Sequence, residues 1–317
     1  MRNITMRQVR SVLALNEHGK ISAAARALGL TSPAVTIQLQ QLEEELGFQL
    51  FLRTRSGIHA TEAGEIVIES AKRIAGELTT LEERIASLKG VSAGTIRLGV
   101  VSTGKYFAPR IMAAFNRLYP GVQMTLIAAN RTEIIEKLRN FEIDVALMGR
   151  PPKDFSVRTT LFGDHPLVFI AAPDHALAGK LDITKEEIAQ QKFIVRERGS
   201  GTRSSFEFFM GEVAEGLTFT PTEMDSNETI KQAVMAGLGI AFISGHTIEQ
   251  ECQSGKLVIL DVVQTPIRRQ WFAVTQAAKT PTPALQALDD FLRKTGPSLL
   301  PIVSKPYRTA TSQIETA

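Results

Sequence analysis

The 317-residue sequence predicts an N-terminal all-α part that carries a small β-hairpin, followed by a larger α/β part. Three patterns support this prediction: two short helices meet at Gly29, an apolar heptad repeat runs from Val67 to Leu88, and strands alternate with helices from residue 95 onward. The α/β part is long enough to bury a sizeable core. The chain is therefore expected to combine a small helical domain, one long helix and a larger domain.

The segment from Ile21 to Gln40 predicts a helix-turn-helix. Apolar residues recur at helical spacing on its inner face: Ala24, Ala25, Leu28, Val35, Leu39 and Leu42. Gly29 suits the turn, and Ser32 followed by Pro33 predicts the capped start of the second helix. Such a second helix enters the major groove of DNA, and the residues expected to face it are Ser32, Pro33, Ala34, Thr36, Ile37 and Gln40. The alternative is an ordinary helical hairpin in a protein core.

Residues 50–61 predict a β-hairpin wing beside this motif. Two short extended pieces flank a Ser-Gly turn, with Arg53 and Arg55 placed to contact phosphates or the minor groove. Residues 1–61 contain seven basic and four acidic side chains, so their net charge of +3 equals that of the whole chain. The excess positive charge therefore lies in the segment expected to bind DNA.

Residues 62–90 predict one long helix that pairs with a second chain. Its apolar residues alternate spacings of four and three: Val67, Ala71, Ile74, Leu78, Leu81, Ile85 and Leu88. A lone helix with one apolar stripe must bury that stripe. A partner chain is the simpler explanation, and packing against its own domain is the alternative.

The remaining sequence alternates strands and helices, which predicts a largely parallel sheet. The predicted strands are 95–101, 122–128, 143–148, 167–172, 193–196, 240–243 and 269–275. The predicted helices are 107–118, 132–140, 185–190, 204–213, 228–236 and 283–294.

The N-terminal ninety residues resemble LysR-type transcriptional regulators. The resemblance is carried by the motifs at 7–12 (RQVRSV), 24–28 (AARAL), 31–36 (TSPAVT), 41–47 (QLEEELG) and 50–54 (LFLRT). It implies a winged helix-turn-helix over 1–61, a dimerising linker helix over 62–90 and a two-lobed α/β effector domain over 94–300, similar to periplasmic binding proteins. Lobe 1 is expected at about 94–163 and 268–300, lobe 2 at about 164–267, and a loosely ordered tail at 301–317.

Polar residues follow several predicted strands, at the sheet edge where α/β proteins bind ligands. The expected effector-binding residues are Ser102, Thr103, Lys105, Asn130, Arg131, Arg150, Ser200, Gly201, Thr202, Arg203 and Asn227, the last expected to cap a helix from 228. In the two-lobed fold that the resemblance implies, the four cations Lys105, Arg131, Arg150 and Arg203 would share one cleft. This predicts a small anionic effector, phosphorylated or with several carboxylates. The alternative for each arginine is a surface salt bridge.

A narrower resemblance concerns the LysR subgroup that controls RuBisCO and other Calvin-cycle operons. The motifs at 98–110, 130–131, 148–152 and 199–203 carry it. It implies control of carbon-fixation genes, and a regulator of another metabolic operon with a carboxylate effector is the alternative. The expected partners are double-stranded promoter DNA, a small anionic metabolite and further copies of the chain, as a homodimer or homotetramer. A contact with RNA polymerase is left open.

Two other function classes fit the sequence less well. An enzyme lacks support because the five histidines show no metal-ligand spacing, Cys252 stands alone, and the GxSxG and GxxxxGK[ST] motifs are absent. No catalytic residue, metal site or cofactor is therefore expected. A solute-binding protein for uptake needs a signal peptide, whereas residues 1–16 are polar and interrupted by Arg7 and Arg10. With no apolar run of roughly 18 residues, a cytoplasmic protein without a membrane partner is expected.

Overall fold

The computed structural model describes residues 3–54, 57–88, 94–215 and 221–303. The chain divides into two compact units, one formed by Met1–Gly90 with Lys279–Thr282 and the other by Val91–Ala278 with Pro283–Ala317. Arg55, the last two residues of the expected linker helix (89–90) and most of the expected tail lie outside the described residues. Among the described residues, no helix is both long and apolar enough to cross a membrane.

The first unit is a helix-turn-helix with a hairpin and a long helix. Its elements are α1 (Met6–His18), α2 (Ile21–Leu28), α3 (Ser32–Leu46), β1 (Phe51–Thr54), β2 (Gly57–Ala60) and α4 (Glu62–Leu88). Gly29 ends α2 in the left-handed backbone conformation, with a φ of 66°, which glycine adopts without strain. The two strands pair antiparallel, and α1 to α4 enclose a core centred on Val12, Leu15, Val35 and Leu42.

The cap of α3 differs from the expectation. Thr31, not Ser32, is the N-cap residue, and its Oγ1 accepts a hydrogen bond from the backbone N–H of Ala34 at 3.3 Å. Ser32 is the first helical residue, and Pro33 takes the second position, where a missing N–H costs nothing. Thr36 Oγ1 donates to the carbonyl of Ser32 at 3.0 Å, so its hydroxyl is turned toward the helix backbone.

The apolar stripe of α4 is used in two ways. Ala71 is buried and Val67 half-buried against the core of the first unit, together with Ile68. Farther along the helix the stripe is open to solvent: Ile74 is 43% exposed, Leu81 52% and Ile85 51%. The prediction of one continuous seam is therefore wrong for its first turns, which pack within the unit. The side chain of Leu88 lies outside the described part of the structure.

The second unit is a mixed α/β domain. Its strands are β3 (Gly94–Val101), β4 (Val122–Ala129), β5 (Val145–Met148), β6 (Val157–Ala171), β7 (Phe193–Arg196), β8 (Thr222–Met224), β9 (Ile240–Ser244), β10 (Val258–Ile259) and β11 (Ile267–Gln276). Its helices are α5 (Ala108–Leu118), α6 (Arg131–Arg139), α7 (Lys185–Ala189), α8 (Gly201–Glu215), α9 (Asn227–Met235), α10 (Glu249–Gln253) and α11 (Pro283–Thr295), with 3-10 turns at Ser102–Tyr106, Gly245–Thr247 and Gly296–Leu299.

The nine strands form one sheet in the order β4-β3-β5-β11-β6-β9-β7-β8, with β10 beside β6. The β3–β4, β3–β5, β7–β8 and β7–β9 pairs are parallel, whereas β6 and β11 pair antiparallel with each other and with their neighbours. The expectation of a largely parallel sheet is therefore wrong at its centre. The long strands β6 and β11 join two parallel groups, each with its own apolar core. The carboxyl ends of β3, β5 and β7 border the cavity described below.

Candidate functional site

A cavity of about 560 Å³ lies at the ends of these strands. It is lined by Val101, Ser102, Thr103, Asn130, Arg131, Thr132, Met148, Gly149, Arg150, His165, Leu167, Arg196, Gly199, Ser200, Gly201, Thr202, Ser204, Ser205, Phe208 and Arg269. Four of these residues are arginines, and this lining of described residues contains no aspartate or glutamate. A cavity with that charge favours a small anion.

Arg131 and Arg150 enter the cavity from the ends of β4 and β5. Arg131 is the first residue of α6, and its Nε and Nη2 donate to the backbone carbonyl of Arg150 at 3.3 and 3.2 Å. Burial lowers the pKa of Arg131, and the nearby charge of Arg150 lowers it further. The guanidinium groups of Arg131 and Arg150 line the same cavity, and an anion bound there would relieve the repulsion between their charges.

Arg196, at the end of β7, is a cavity residue that the sequence reasoning missed. Its side chain is only 3% exposed. Nη1 donates to Asn227 Oδ1 at 2.7 Å, while Nε and Nη2 donate to the two carboxylate oxygens of Glu197 at 2.7 and 2.9 Å. The guanidinium is thus held rigidly, and its charge is partly met by Glu197.

His165 and Arg269 are two further lining residues that were not predicted. They lie directly opposite each other in the β6–β11 pair. The His165 ring stacks on Trp271 with centroids 4.1 Å apart, and Trp271 Nε1 donates to His246 Nδ1 at 3.1 Å. Burial lowers the pKa of His165 to about 3, with smaller contributions from His246 and Arg269. His165 is therefore neutral near pH 7.

The starts of two helices supply further donors to the cavity. Asn130 caps α6, because its Oδ1 accepts from the backbone N–H of Glu133 at 3.0 Å. Gly199 has a φ of 89°, and a Cβ there would lie 3.1 Å from Thr132 Oγ1, so the turn before α8 requires glycine. Beyond this turn Ser200, Gly201 and Thr202 line the cavity at the beginning of α8. Unpaired backbone N–H groups at a helix start bind anions well.

The structure does not bring the four predicted cations together. Lys105 is exposed and lies outside the cavity lining. Arg203 also lies outside it, because its Nε donates to Glu207 one helical turn later and its Nη1 to the carbonyl of Arg196. Asn227 is buried behind Arg196 and does not cap α9; Ser226 does, by accepting from the N–H of Thr229 at 3.0 Å. The other expected effector residues all line the cavity.

A second concave surface lies on the first unit, between α2, α3 and the hairpin. It is lined by Gly19, Lys20, Ile21, Ser22, Ser32, Pro33, Thr36, Ile37, Arg53, Thr54, Gly57 and Ile58. Ile37 is 51% exposed, and Gln40 and Arg53 are also exposed. Half-buried Ala34 belongs to the same helix but not to this lining.

Lys20 and Ser22 are residues of this surface that the sequence reasoning missed. Lys20 directly precedes α2 and makes no side-chain hydrogen bond to it. The sequence did offer one indication of a phosphate contact at Lys20, because a basic residue immediately before an uncapped helix start lies where phosphate is attracted.

Comparison with known protein families matches both units. Residues 6–65 match the bacterial regulatory helix-turn-helix protein of the lysR family. Residues 89–297 match the LysR substrate binding domain. The chain belongs to the LysR family. It is therefore a LysR-type transcriptional regulator, and the resemblance stated from the sequence is confirmed.

Individual family members are similar over nearly the whole chain. The HTH-type transcriptional regulator CbbR of Rhizobium meliloti is 57% identical over 307 residues, which cover 97% of this chain and 98% of that protein. The RuBisCO operon transcriptional regulator of Allochromatium vinosum is 41% identical, over 92% of this chain and 96% of its own. The Synechocystis CcmR regulatory domain, solved in complex with 2-PG (2-phosphoglycolate), is 36% identical with a TM-score of 0.59 and covers 63% of this chain and 95% of its own.

Proposed function

We propose that this regulator binds promoter DNA through α3 and its wing and controls carbon-fixation genes in response to a small phosphorylated anion in the cavity. The observation that supports the proposal most strongly is the cavity lining, with four arginines and no carboxylate among its described residues. A phosphate group carries nearly two negative charges and several acceptor oxygens, which suits guanidinium groups and helix starts.

The similarity to CbbR and to the RuBisCO operon regulator supports carbon fixation as the controlled process. The 2-PG complex of the CcmR domain makes 2-phosphoglycolate the first ligand to test. In this proposal the protein acts by binding alone, without catalysis, metal or organic cofactor, and it works in the cytoplasm, where the promoter is located.

The exposed part of the α4 stripe supports a homodimer in which the two α4 helices pack against each other through Ile74, Leu81 and Ile85. Two recognition helices then reach major-groove sites about one helical turn apart. Two dimers forming a tetramer, and a contact with RNA polymerase, are extensions of the same proposal. The ligand changes regulation only if it binds one arrangement of the assembly more tightly than another.

Isothermal titration calorimetry of the full-length protein with 2-phosphoglycolate tests the cavity. We expect saturable binding that Arg150→Gln weakens by about tenfold, because a charge-assisted hydrogen bond is lost. Lys256→Gln removes an exposed positive charge outside the cavity and should bind like the wild type. Equal weakening by both substitutions would indicate a general charge effect and contradict the proposed site.

A footprint of the promoter upstream of a RuBisCO operon tests the regulatory part. We expect protection of two half-sites whose pattern changes when 2-phosphoglycolate is added. Failure to protect any promoter fragment at low salt would contradict DNA binding. Footprints that stay identical with and without a ligand that calorimetry shows to bind would contradict the response.

A further inference from the structure

We propose that His165 forms a neutral hydrogen-bonding subsite that recognises a carboxylate on the same ligand whose phosphate occupies the arginine-lined cavity. The inference rests on the proposed function, since it concerns the same cavity. It narrows the ligand class to phosphorylated carboxylic acids and distinguishes them from simple phosphate esters.

The first argument is the unmet hydrogen-bonding capacity of His165. Both ring nitrogens are buried, and neither finds a hydrogen-bond partner among the described residues. Buried polar groups in proteins are nearly always paired, because an unpaired one loses its bonds to water without replacement. The ring borders the cavity, so a ligand is the available partner.

The second argument is the space around the ring. A Cβ on Gly149 would lie 2.8 Å from His165 Nδ1, so any other residue at position 149 crowds the imidazole. The plane of the ring is fixed by its stack on Trp271. A half-turn about the Cβ–Cγ bond keeps that stack and exchanges each nitrogen with a ring carbon. Both orientations of the ring are therefore compatible with the stack on Trp271.

The third argument is the neighbouring charge. Arg269 faces His165 across the β6–β11 pair, and residues directly opposite in a sheet lie on the same face. A guanidinium and one imidazole N–H match the two oxygens of a carboxylate. The start of α8 instead offers several backbone N–H groups and the hydroxyls of Ser200 and Thr202, which match the three oxygens of a phosphate.

The test compares 2-phosphoglycolate with ethyl phosphate, which has the same phosphate ester but no carboxylate. We expect His165→Phe in the full-length protein to weaken 2-phosphoglycolate binding about tenfold and to change ethyl phosphate binding less than about twofold. Phenylalanine keeps a ring against Trp271 but has no nitrogen. His165→Asn restores a donor and should bind 2-phosphoglycolate more tightly than His165→Phe.

The outcomes are distinguishable from those that test the proposed function. If the wild type binds neither compound, the anion site itself fails and the subsite with it. If the wild type binds 2-phosphoglycolate and His165→Phe binds it equally well, or loses both compounds equally, only the subsite is overturned. If His165→Phe does not fold, the subsite can be tested in the wild-type protein by measuring the ¹⁵N chemical shifts of the His165 ring with each compound. A shift on saturation with 2-phosphoglycolate but not with ethyl phosphate supports the proposal, and no shift with either overturns it.

Discussion

At the scale of single residues, two arginines seven positions apart have different roles. Arg196 ends β7 and turns into the cavity, where Asn227 and Glu197 hold its guanidinium. Arg203 lies inside α8, where Glu207 one turn later captures it. The i,i+4 spacing of Arg203 and Glu207 is visible in the sequence and predicts such an ion pair. The role of Arg196 depends on Asn227, which only the tertiary fold brings close.

The stacked histidines make the stability of the second unit depend on pH. Burial lowers the pKa of His165 to about 3 and that of His246 to about 4, below the usual value of 6.5. Below pH 6.5 the unfolded chain therefore binds protons that the folded chain does not. The contribution of each ring to stability is fully present above pH 6.5 and is lost as the pH falls toward its folded pKa.

We expect His165→Phe to reduce this acid sensitivity. Between pH 6 and pH 4 the free energy of unfolding of the variant should fall less steeply than that of the wild type, by about 1.4 kcal/mol per pH unit. Urea unfolding at several pH values, followed by the fluorescence of Trp271, the single tryptophan, measures the free energy of unfolding. His59→Phe, which changes an exposed side chain in the other unit, should keep the wild-type slope. Parallel slopes for His165→Phe would show that the ring titrates normally.

The residues predicted for the cavity follow strands that the sequence marks clearly. Arg131 and Arg150 come directly after apolar runs, so their position at the sheet edge was predictable. His165 and Arg269 lie within long strands, and their meeting depends on the register of β6 and β11. A register shift of one residue between the two strands would place these two side chains on opposite faces of the sheet, and no local pattern fixes that register.

At the scale of elements, the start of α3 depends on a single hydroxyl. Thr31 Oγ1 satisfies the N–H of Ala34, whereas Ser32 is already helical. Thr31→Ala should destabilise the first turn of α3 by about 1 kcal/mol, and Ser32→Ala by much less. Hydrogen–deuterium exchange of peptides spanning α3, read by mass spectrometry, measures this as roughly fivefold faster exchange in Thr31→Ala. Faster exchange in Ser32→Ala than in Thr31→Ala would show that Ser32, and not Thr31, is the N-cap residue.

The exposed stripe of α4 makes a prediction about assembly. Leu81→Glu places a charge on the stripe at a position 52% exposed in the single chain. It should leave the folding of each chain unchanged but weaken the dimer, because the charge would be buried against the partner helix. Sedimentation velocity measures the shift from dimer to monomer. Glu82→Gln changes the neighbouring exposed residue and should leave the dimer intact. An intact dimer in Leu81→Glu would exclude α4 as the interface.

The predictions of helices and strands succeeded where the apolar periodicity is strong and failed where glycine and proline interrupt a strand. The helices α2, α3 and α4 and the parallel strands β3, β4, β5, β7 and β9 match their patterns within a few residues. The first ten residues of β6 were not predicted as a strand, since Gly163 and Pro166 interrupt them. This half-strand pairs with β11, so the antiparallel centre of the sheet was missed as well. The prediction for the first turns of α4 failed for a different reason. An apolar stripe that packs in the core of its own unit has the same sequence spacing as one that packs against a partner helix.

At the scale of the whole molecule, the excess charge is concentrated in one place. The net charge of +3 is accounted for by residues 1–61, and the rest of the chain balances to zero. The cavity nevertheless concentrates four arginines on one surface, and acidic side chains elsewhere in residues 62–317 offset their charge. Attraction to DNA and attraction to a small anion are therefore assigned to separate parts of one nearly neutral chain.

This separation predicts how DNA binding responds to salt. Arg53 is exposed on the hairpin beside α3. If it contacts a phosphate, Arg53→Gln should weaken binding to all DNA sequences alike and reduce the slope of log K against log salt by about one per chain. Fluorescence anisotropy on specific and random duplexes at several salt concentrations measures both effects. Lys256→Gln makes the same change in net charge on the other unit and should leave the slope intact. An unchanged slope in Arg53→Gln would place the phosphate contacts elsewhere, with Lys20 before the uncapped α2 as the next residue to change.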